Sequence, residues 1–493
     1  MAANKQLHAI VFLLSYLVTR PAWFGSGASS AGQEIRKGFS VTHDSSYSEF
    51  QSLLADPTGV FSLGFLRVDS SRLDLAVIHL PSSSALWRAN PARPLPWSAS
   101  ASLSFNGSLV LSDSGTGVLW STATADGDRL VLLNSSNLQI QKMAGAAATV
   151  LWQSFDFPWD TLVQDQNLTS TAALFSKDQR FSMRLGASYF ALYMELDGGS
   201  TPAMYWKHSA LDVKALIVPD EGPIYARVDP HGFLGMYQRE AAPVDVFPFD
   251  SFNREISGLR RLTLESDGNL RAYFWNGSIW VRDLETIAHR CELPAVCGAY
   301  GLCNSADSRC SCLDNSTEEG CLPPGSGNFC GDGGSEFRIL RRKGVDLANQ
   351  ELVAYRKVAS LEECEDSCEQ NCSCWGAIYH NASGFCYRLD YPIQTLVEGD
   401  TRREGYFKVR VRTSGGGGGG AGRTARVALL VVGGLVFAGA ALFGAYSLWS
   451  RRRQMRAGMD GSMVEGLAPG SYKDLNSASF RSLELSNSFS FRK

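Results

Sequence analysis

The sequence predicts a mainly β, multi-domain chain that faces the outside of a cell and carries one transmembrane helix, and three observations predict it. Leu-Trp recurs at Leu86-Trp87, Leu119-Trp120 and Leu151-Trp152, separated by 33 and then 32 residues. All 12 cysteines lie between Cys291 and Cys386. Two apolar segments, one short and near the start, one long and near the end, flank everything else.

The short segment sets the compartment. Lys5 precedes the apolar run Ala9–Val18 (AIVFLLSYLV), and the small-residue stretch GSGASSA follows. That order is the pattern of a secretory signal peptide, and the run is too short to span a bilayer. Cleavage is expected near Ala31, so residues 1–31 are set aside as the signal. The long segment, Val427–Leu448, is 22 residues without a charge; as a helix it measures about 33 Å, enough for a hydrocarbon core of about 30 Å. Arg451, Arg452 and Arg453 follow it, and positive residues favour the cytoplasmic side. The expected topology is single-pass, type I, with the N-terminus outside the plasma membrane. Seven Asn-X-Ser/Thr sequons, at Asn106, Asn134, Asn167, Asn276, Asn315, Asn371 and Asn381, all fall on the side that this topology makes luminal.

Composition excludes some classes. Forty-six basic against 49 acidic residues, a net charge of -3, give no footprint for a nucleic-acid partner. Residues 32 to about 412 are too many for one ordinary domain. The cysteines divide them into a cysteine-free part and a disulfide-dense part, because an even cysteine count on the secretory route implies bridges. The stretch SLEECEDSCEQNCSCW (360–375) therefore reads as part of a disulfide frame. A zinc site or a redox centre would need thiolates kept reduced. Cys364, Cys368 and Cys372 are spaced by four, which would place them along one helix face, with the carboxylates between them on a solvated outer face.

The Leu-Trp repeat organises the cysteine-free part. Alternating segments such as SLVLS (108–112) and RLVLL (129–133) lie between the repeats, broken by Asn-Gly, Ser-Gly and Asp-Gly turns. Each unit looks like a small antiparallel sheet unable to bury its own inner face. Three such units around a pseudo-threefold axis can do so, with one tryptophan from each filling the middle.

FSLGF (61–65), the Leu-Trp repeat, WQSFDFPWDTL (152–162), RLTLESDGNLRAYFW (261–275) and CELPAVCGAYGLCNSADSRCSC (291–312) resemble the bulb-type, mannose-binding lectin module and the domains that follow it in plant S-locus glycoproteins and S-domain receptor kinases. The resemblance implies tandem bulb-lectin-like β-prisms, an EGF-like module, an α+β PAN/apple module and one transmembrane helix. The expected boundaries are a lectin domain at 32–160, a second lectin-like S-locus domain at 161–287, the EGF-like module at 288–325 and the PAN module at 326–411. A Gly-rich linker at 412–424, the helix at 425–449 and a tail at 450–493 complete the order.

The resemblance also implies specific residues. The family's mannose motif, Q-x-D-x-N-x-V-x-Y, maps to Ser104, Asn106, Ser108, Val110 and Ser112 in one repeat and to Ala125, Gly127, Arg129, Val131 and Leu133 in the next; most acceptors are lost in both. In the S-locus domain Glu265, Asp267, Asn269, Arg271 and Tyr273 keep more of it, so Glu265, Asp267, Asn269 and Tyr273 are the candidate carbohydrate-binding residues. The same Asp-Gly-Asn also suits a hairpin turn. For the EGF-like module the implied bridges are Cys291–Cys303, Cys297–Cys310 and Cys312–Cys321, although spacing alone leaves the connectivity open. For the PAN module they are Cys364–Cys386 and Cys368–Cys374, which leaves Cys330 for Cys372. No acidic pair precedes Cys291, so a calcium-binding EGF variety is not expected.

Catalytic motifs are missing: the chain has no HRD, DFG or H-E-x-x-H, the glycines at 415–420 match a nucleotide loop only trivially, and 43 residues after Ser450 are too few for a kinase. No enzyme, metal or cofactor is expected. The tail, rich in serine and charge, reads as disordered, with Tyr472 and several serines open to phosphorylation. Gly434, Ala438, Ala441 and Ala445 would share one face of the membrane helix and permit a homodimer. The reading is a receptor-like protein that binds an extracellular peptide, protein or glycan and works through a co-receptor or S-domain receptor kinase; pollen recognition is the process best known for the family. The alternatives are a cell-wall or glycan-binding adhesion tether, and a decoy for S-domain receptor kinases.

Overall fold

The computed structural model describes residues 32–410, apart from short stretches at 197–200, 211–216, 219–220, 239–241, 314–320, 322–328, 330–336 and 391–392, together with Gly444, Tyr446 and Trp449. The signal segment, Asn315, Cys330, the Gly-rich linker, the tail and almost all of Val427–Leu448 lie outside the described residues. Among the described residues no helix is long and apolar enough to cross a membrane.

Three antiparallel sheets form the first domain, two of four strands and one of five, whose short fifth strand Leu95–Pro96 pairs with the start of Arg72–His79. The first runs Phe50–Ala55, Phe61–Arg67, Arg72–His79, Ser84–Arg88; the second Gly117–Ser121, Leu109–Asp113, Ala101–Phe105, Phe39–Thr42; the third Glu34–Arg36, Arg129–Leu132, Leu138–Ala144, Ala147–Gln153. Alternation is what drives them together. Leu63 and Phe65, Leu103 and Phe105, Leu130 and Leu132 all point inward and are fully or almost fully buried, joining a single core.

The Leu-Trp repeat proves to be a repeated backbone device. In each sheet the register on the outer strand skips one residue just before the tryptophan: Leu86 beside Trp87, Leu119 beside Trp120, Leu151 beside Trp152. An extra residue of this kind bends and twists its strand. Each bulge turns one indole to the axis, where the three rings stand edge to face with centroids 5.9, 5.8 and 6.0 Å apart. The near-equal distances are the pseudo-threefold symmetry that the 33- and 32-residue spacing anticipates.

A second set of three four-stranded sheets follows, spanning Thr161–Glu285, around its own core of Leu162, Phe181, Phe190, Met236 and Leu262. Its centre is built differently. Two outer strands again skip a residue, but the skipped residues are Tyr205 and Asp283. Tyr205 is fully buried and donates to the Gly268 carbonyl. Asp283 meets Arg260 in an ion pair whose side chains are 2% and 0% exposed.

The two prisms meet through aromatic residues. Trp280 Nε1 donates to Ser82 Oγ at 2.9 Å, and His79 packs edge-on to Trp275 and Trp280 at 4.9 and 5.4 Å. Burial, with a smaller push from Arg261, holds the His79 imidazole below its ordinary value of 6.5. A histidine depressed in this way binds fewer protons folded than unfolded, so stability falls as pH drops below about 6.5. His79→Gln should flatten that part of the stability–pH curve in thermal unfolding between pH 7 and 5; a curve unchanged by the substitution contradicts the assignment.

The cysteine-rich part is two linked pieces. Cys291–Cys303, Cys297–Cys310 and Cys312–Cys321 are bridged in the first. Its strand Gly301–Cys303 pairs in parallel with Leu396–Glu398 of the second, so the pieces share a sheet. The second has a five-stranded sheet covered by the helix Leu361–Glu369, with bridges Cys364–Cys386 and Cys368–Cys374. Cys372 is also disulfide-bonded.

Two expectations for SLEECEDSCEQNCSCW are corrected. The helix ends at Glu369, so Cys372 is not on the face that carries Cys364 and Cys368. Lys408 explains the stop: its buried ammonium donates to the carbonyls of Cys368, Glu369 and Asn371 at 2.8, 3.3 and 3.0 Å, satisfying the helix end. The carboxylates are not one solvated face either. Glu365 is buried and receives two hydrogen bonds from Arg341, at 2.8 and 2.6 Å, while Glu362, Asp366 and Glu369 stay exposed.

Candidate ligand-binding site

The candidate sugar residues of the second prism sit on the hairpin of Arg260–Leu264 and Leu270–Trp275. Its turn requires Gly268, whose φ of 85° few other residues adopt. Asn269 is fully buried: its side chain donates to the Ile287 carbonyl at 2.8 Å and accepts from the Ile287 amide at 3.0 Å. Asp267 accepts from the Asn269 amide at 2.9 Å and from both terminal nitrogens of Arg271 at 3.0 and 2.7 Å. Arg271 also holds Glu285, and Tyr273 donates to Glu265 at 2.8 Å. Arg271 keeps the Asp267 carboxyl below its ordinary 3.8 despite partial burial, while burial and Glu265 push the Tyr273 phenol up to about 12. The cluster satisfies itself and locks the hairpin. Asn269 has no surface with which to reach a sugar, so its role is corrected to that of a turn anchor.

The corresponding hairpins of the first prism are also spent internally. Ser108 hydrogen-bonds Ser121 and Thr122, and Ser102 bonds Ser112 at 2.9 Å. Arg129 donates to Gln141 and Glu34. Asn106, Asn134, Asn167, Asn276 and Asn381 are exposed and Asn371 is half-buried. Among the described residues one group of three possible metal ligands lies close together, Cys297, Cys303 and Cys310. All three sulfurs are consumed in disulfides, so the group is not a metal site.

A different place has open chemistry. Where the prisms meet, a polar cleft of about 420 Å³ is lined by Trp87, Arg88, Trp159, Asp160, Lys177, Arg261 and Glu265, among others. Asp160 stands at its wall, 9% exposed, with Thr161 donating to one carboxylate oxygen at 2.9 Å and no hydrogen bond to the other among the described residues. Burial lifts its pKa above 3.8, opposed by Thr161 and by the charges of Lys177 and Arg88. Arg261 makes no ion pair among the described residues; its guanidinium lies 4.3 Å over the Trp280 ring, and burial pulls it down from 12.5. Arg88 reaches back to Asp74 at 3.1 Å, and burial pushes that carboxyl up to about 6 against the pull of Arg88 and of two backbone amides. Three nitrogens behind this wall, Arg88 Nη2, Trp159 Nε1 and Arg261 Nε, are buried without a partner among the described residues, and sealed from the cleft.

Sequence reading missed this cleft. Its residues come from strands and loops as far apart as Leu66 and Glu265, and no local motif joins them. The one available signal is WQSFDFPWDTL, whose Trp159, Asp160 and Thr161 all line it.

Residues 84–184 match the D-mannose binding lectin family, residues 240–317 the S-locus glycoprotein domain and residues 338–409 the PAN domain. A PAN domain-containing protein of Arabidopsis thaliana is 44% identical over 99% of this chain and 99% of its own length. A G-type lectin S-receptor-like serine/threonine-protein kinase of the same plant is 26% identical over 82% of this chain, which spans about half of that kinase, 52%. The two-domain, fetuin-binding agglutinin of Scilla campanulata is 17% identical over 49% of this chain and 97% of its own, with a TM-score of 0.20, too low to carry a structural argument. The chain belongs to the plant S-locus glycoprotein and G-type lectin S-domain family, as a PAN domain-containing member.

Proposed function

We propose that this is a non-catalytic, extracellular receptor-like protein whose tandem prisms recognise a saccharide-bearing ligand and which acts through partner receptors at the plasma membrane. The observation that carries this reading is the paired likeness. The chain matches a PAN domain-containing protein end to end, and it matches about half of a G-type lectin S-receptor-like kinase. Prism, prism and PAN module are thus the parts held in common with a receptor kinase, and lectin and PAN modules recognise without catalysing. Disulfides suit such a module set to an oxidising exterior. The signal segment 1–31 and the span at 425–449 would deliver and hold it there, with an S-domain receptor kinase as the partner.

Proximity labelling from the full chain in living plant cells should recover receptor kinases at the plasma membrane. Deletion of residues 454–493 should then abolish any ligand-dependent response. Absence of every kinase from the labelled set, or a response that survives the deletion, favours a passive tether.

A further inference from the structure

We propose that the cleft between the two prisms is the ligand site and that it takes a carboxylated saccharide, such as an oligomer of a uronic acid. This rests on the saccharide-recognition reading above and adds the place and the chemical class.

Charge decides against a neutral ligand. Arg67, Arg88, Lys177 and Arg261 face Asp160 and Glu265 in the lining, an excess of cations. Arg67 is spent on three backbone carbonyls, and Arg88 on Asp74. Lys177 and Arg261 have no carboxylate within ion-pair distance among the described residues, and with Arg88 paired to Asp74 the lining keeps three cations, Arg67, Lys177 and Arg261, against the two carboxylates Asp160 and Glu265, a net positive charge for an incoming anion. A planar guanidinium and an ammonium together suit a carboxylate. Burial already weighs against the charged form of Arg261, so an anion beside it relieves a cost that the empty cleft carries.

The remaining groups call for hydroxyls and an apolar face. The unpaired oxygen of Asp160 needs a donor, and its burial makes that need strong. The half-buried indole of Trp159 supplies apolar surface of the sort that the C–H face of a pyranose covers. A uronic acid offers carboxylate, hydroxyls and C–H face on one ring. The volume, about 420 Å³, lies within the usual range of small-ligand sites, roughly 300–1,000 Å³. The mannose-pattern side chains Asp267 and Ser108 are taken by neighbours within the chain, and Tyr273 donates to Glu265 at the cleft edge.

The test is calorimetric titration of the full-length protein, in detergent, with trigalacturonic acid, its methyl ester and mannotriose at low and physiological salt. The acid should bind, weaken as salt rises, and lose about tenfold in affinity on esterification, a loss of about 1.4 kcal/mol. Arg261→Gln and Asp160→Asn should each weaken it about tenfold. Lys177 is exposed, so Lys177→Gln leaves folding intact and should still weaken binding several-fold. Equal affinity for acid and ester, or no effect of Lys177→Gln, overturns the proposal. Binding of mannotriose alone overturns the ligand class and leaves saccharide recognition standing. An acidic peptide that binds where no saccharide does overturns both.

Discussion

Arg260→Ala is expected to destabilise the second prism by about 3–5 kcal/mol, because it strands a buried carboxylate. The Arg260 side chain is 0% exposed and donates to the Pro230 carbonyl at 2.9 Å and to Ser251 Oγ at 2.8 Å as well as to Asp283. Asp283 in turn accepts from the amide and hydroxyl of Ser251 at 2.9 and 2.6 Å. Without the guanidinium, those two donors are all that face a full negative charge in the core. The double replacement Arg260→Leu with Asp283→Leu should cost clearly less than Arg260→Leu alone, since it removes both charges together. Urea unfolding of the three variants decides this. A double variant no better than the single one means that the pair is not what holds this part of the fold.

Trp87→Ala should cost a similar amount in the first prism, about 3–5 kcal/mol. Trp87 is 6% exposed, touches both partner indoles and donates from Nε1 to the Phe157 carbonyl at 2.9 Å. Its loss opens the axis on which all three sheets converge and frees the 154–160 segment that leads into the second prism. Trp87→Phe keeps an aromatic ring in the gap and loses the hydrogen bond, so it should cost markedly less. Thermal unfolding followed by near-ultraviolet circular dichroism reads both; equal losses would mean that the hydrogen bond, not the ring, is the stabilising element.

These two centres show what the sequence can and cannot disclose. The Leu-Trp repeat is legible because one physical device, a bulge followed by an indole, recurs at a fixed interval. The second prism solves the same packing problem with Arg260 and Asp283, and charged residues do not announce a core. Period-two alternation does place Arg260 with Leu262 and Leu264 on the buried side, but the pairing with Asp283 exists only once the bulge turns that residue inward. The candidate sugar residues show the opposite error. Glu265, Asp267 and Asn269 have the right types in nearly the right order, yet Tyr273, Arg271 and the Ile287 backbone absorb them in turn, and no one-dimensional pattern reveals an intramolecular competitor. The cleft is harder still, since it assembles from strands nearly two hundred positions apart.

The PAN helix makes the same point on a smaller scale. Four-residue spacing places Cys364 and Cys368 correctly and overshoots at Cys372, because the stop is set by Lys408, 39 residues beyond the last helical residue. The charge pattern likewise hides that Glu365, alone among its acidic neighbours Glu362, Asp366 and Glu369, faces the sheet and Arg341.

If recognition has moved from the mannose-pattern hairpins to the cleft between the prisms, a glycan array probed with the full-length protein and two variants will show it. Acidic glycans should give the strongest signals, Lys177→Gln should weaken them several-fold, and Asp267→Ala should leave them unchanged. Loss of signal with Asp267→Ala and retention with Lys177→Gln would place the site back on the hairpin and contradict the account.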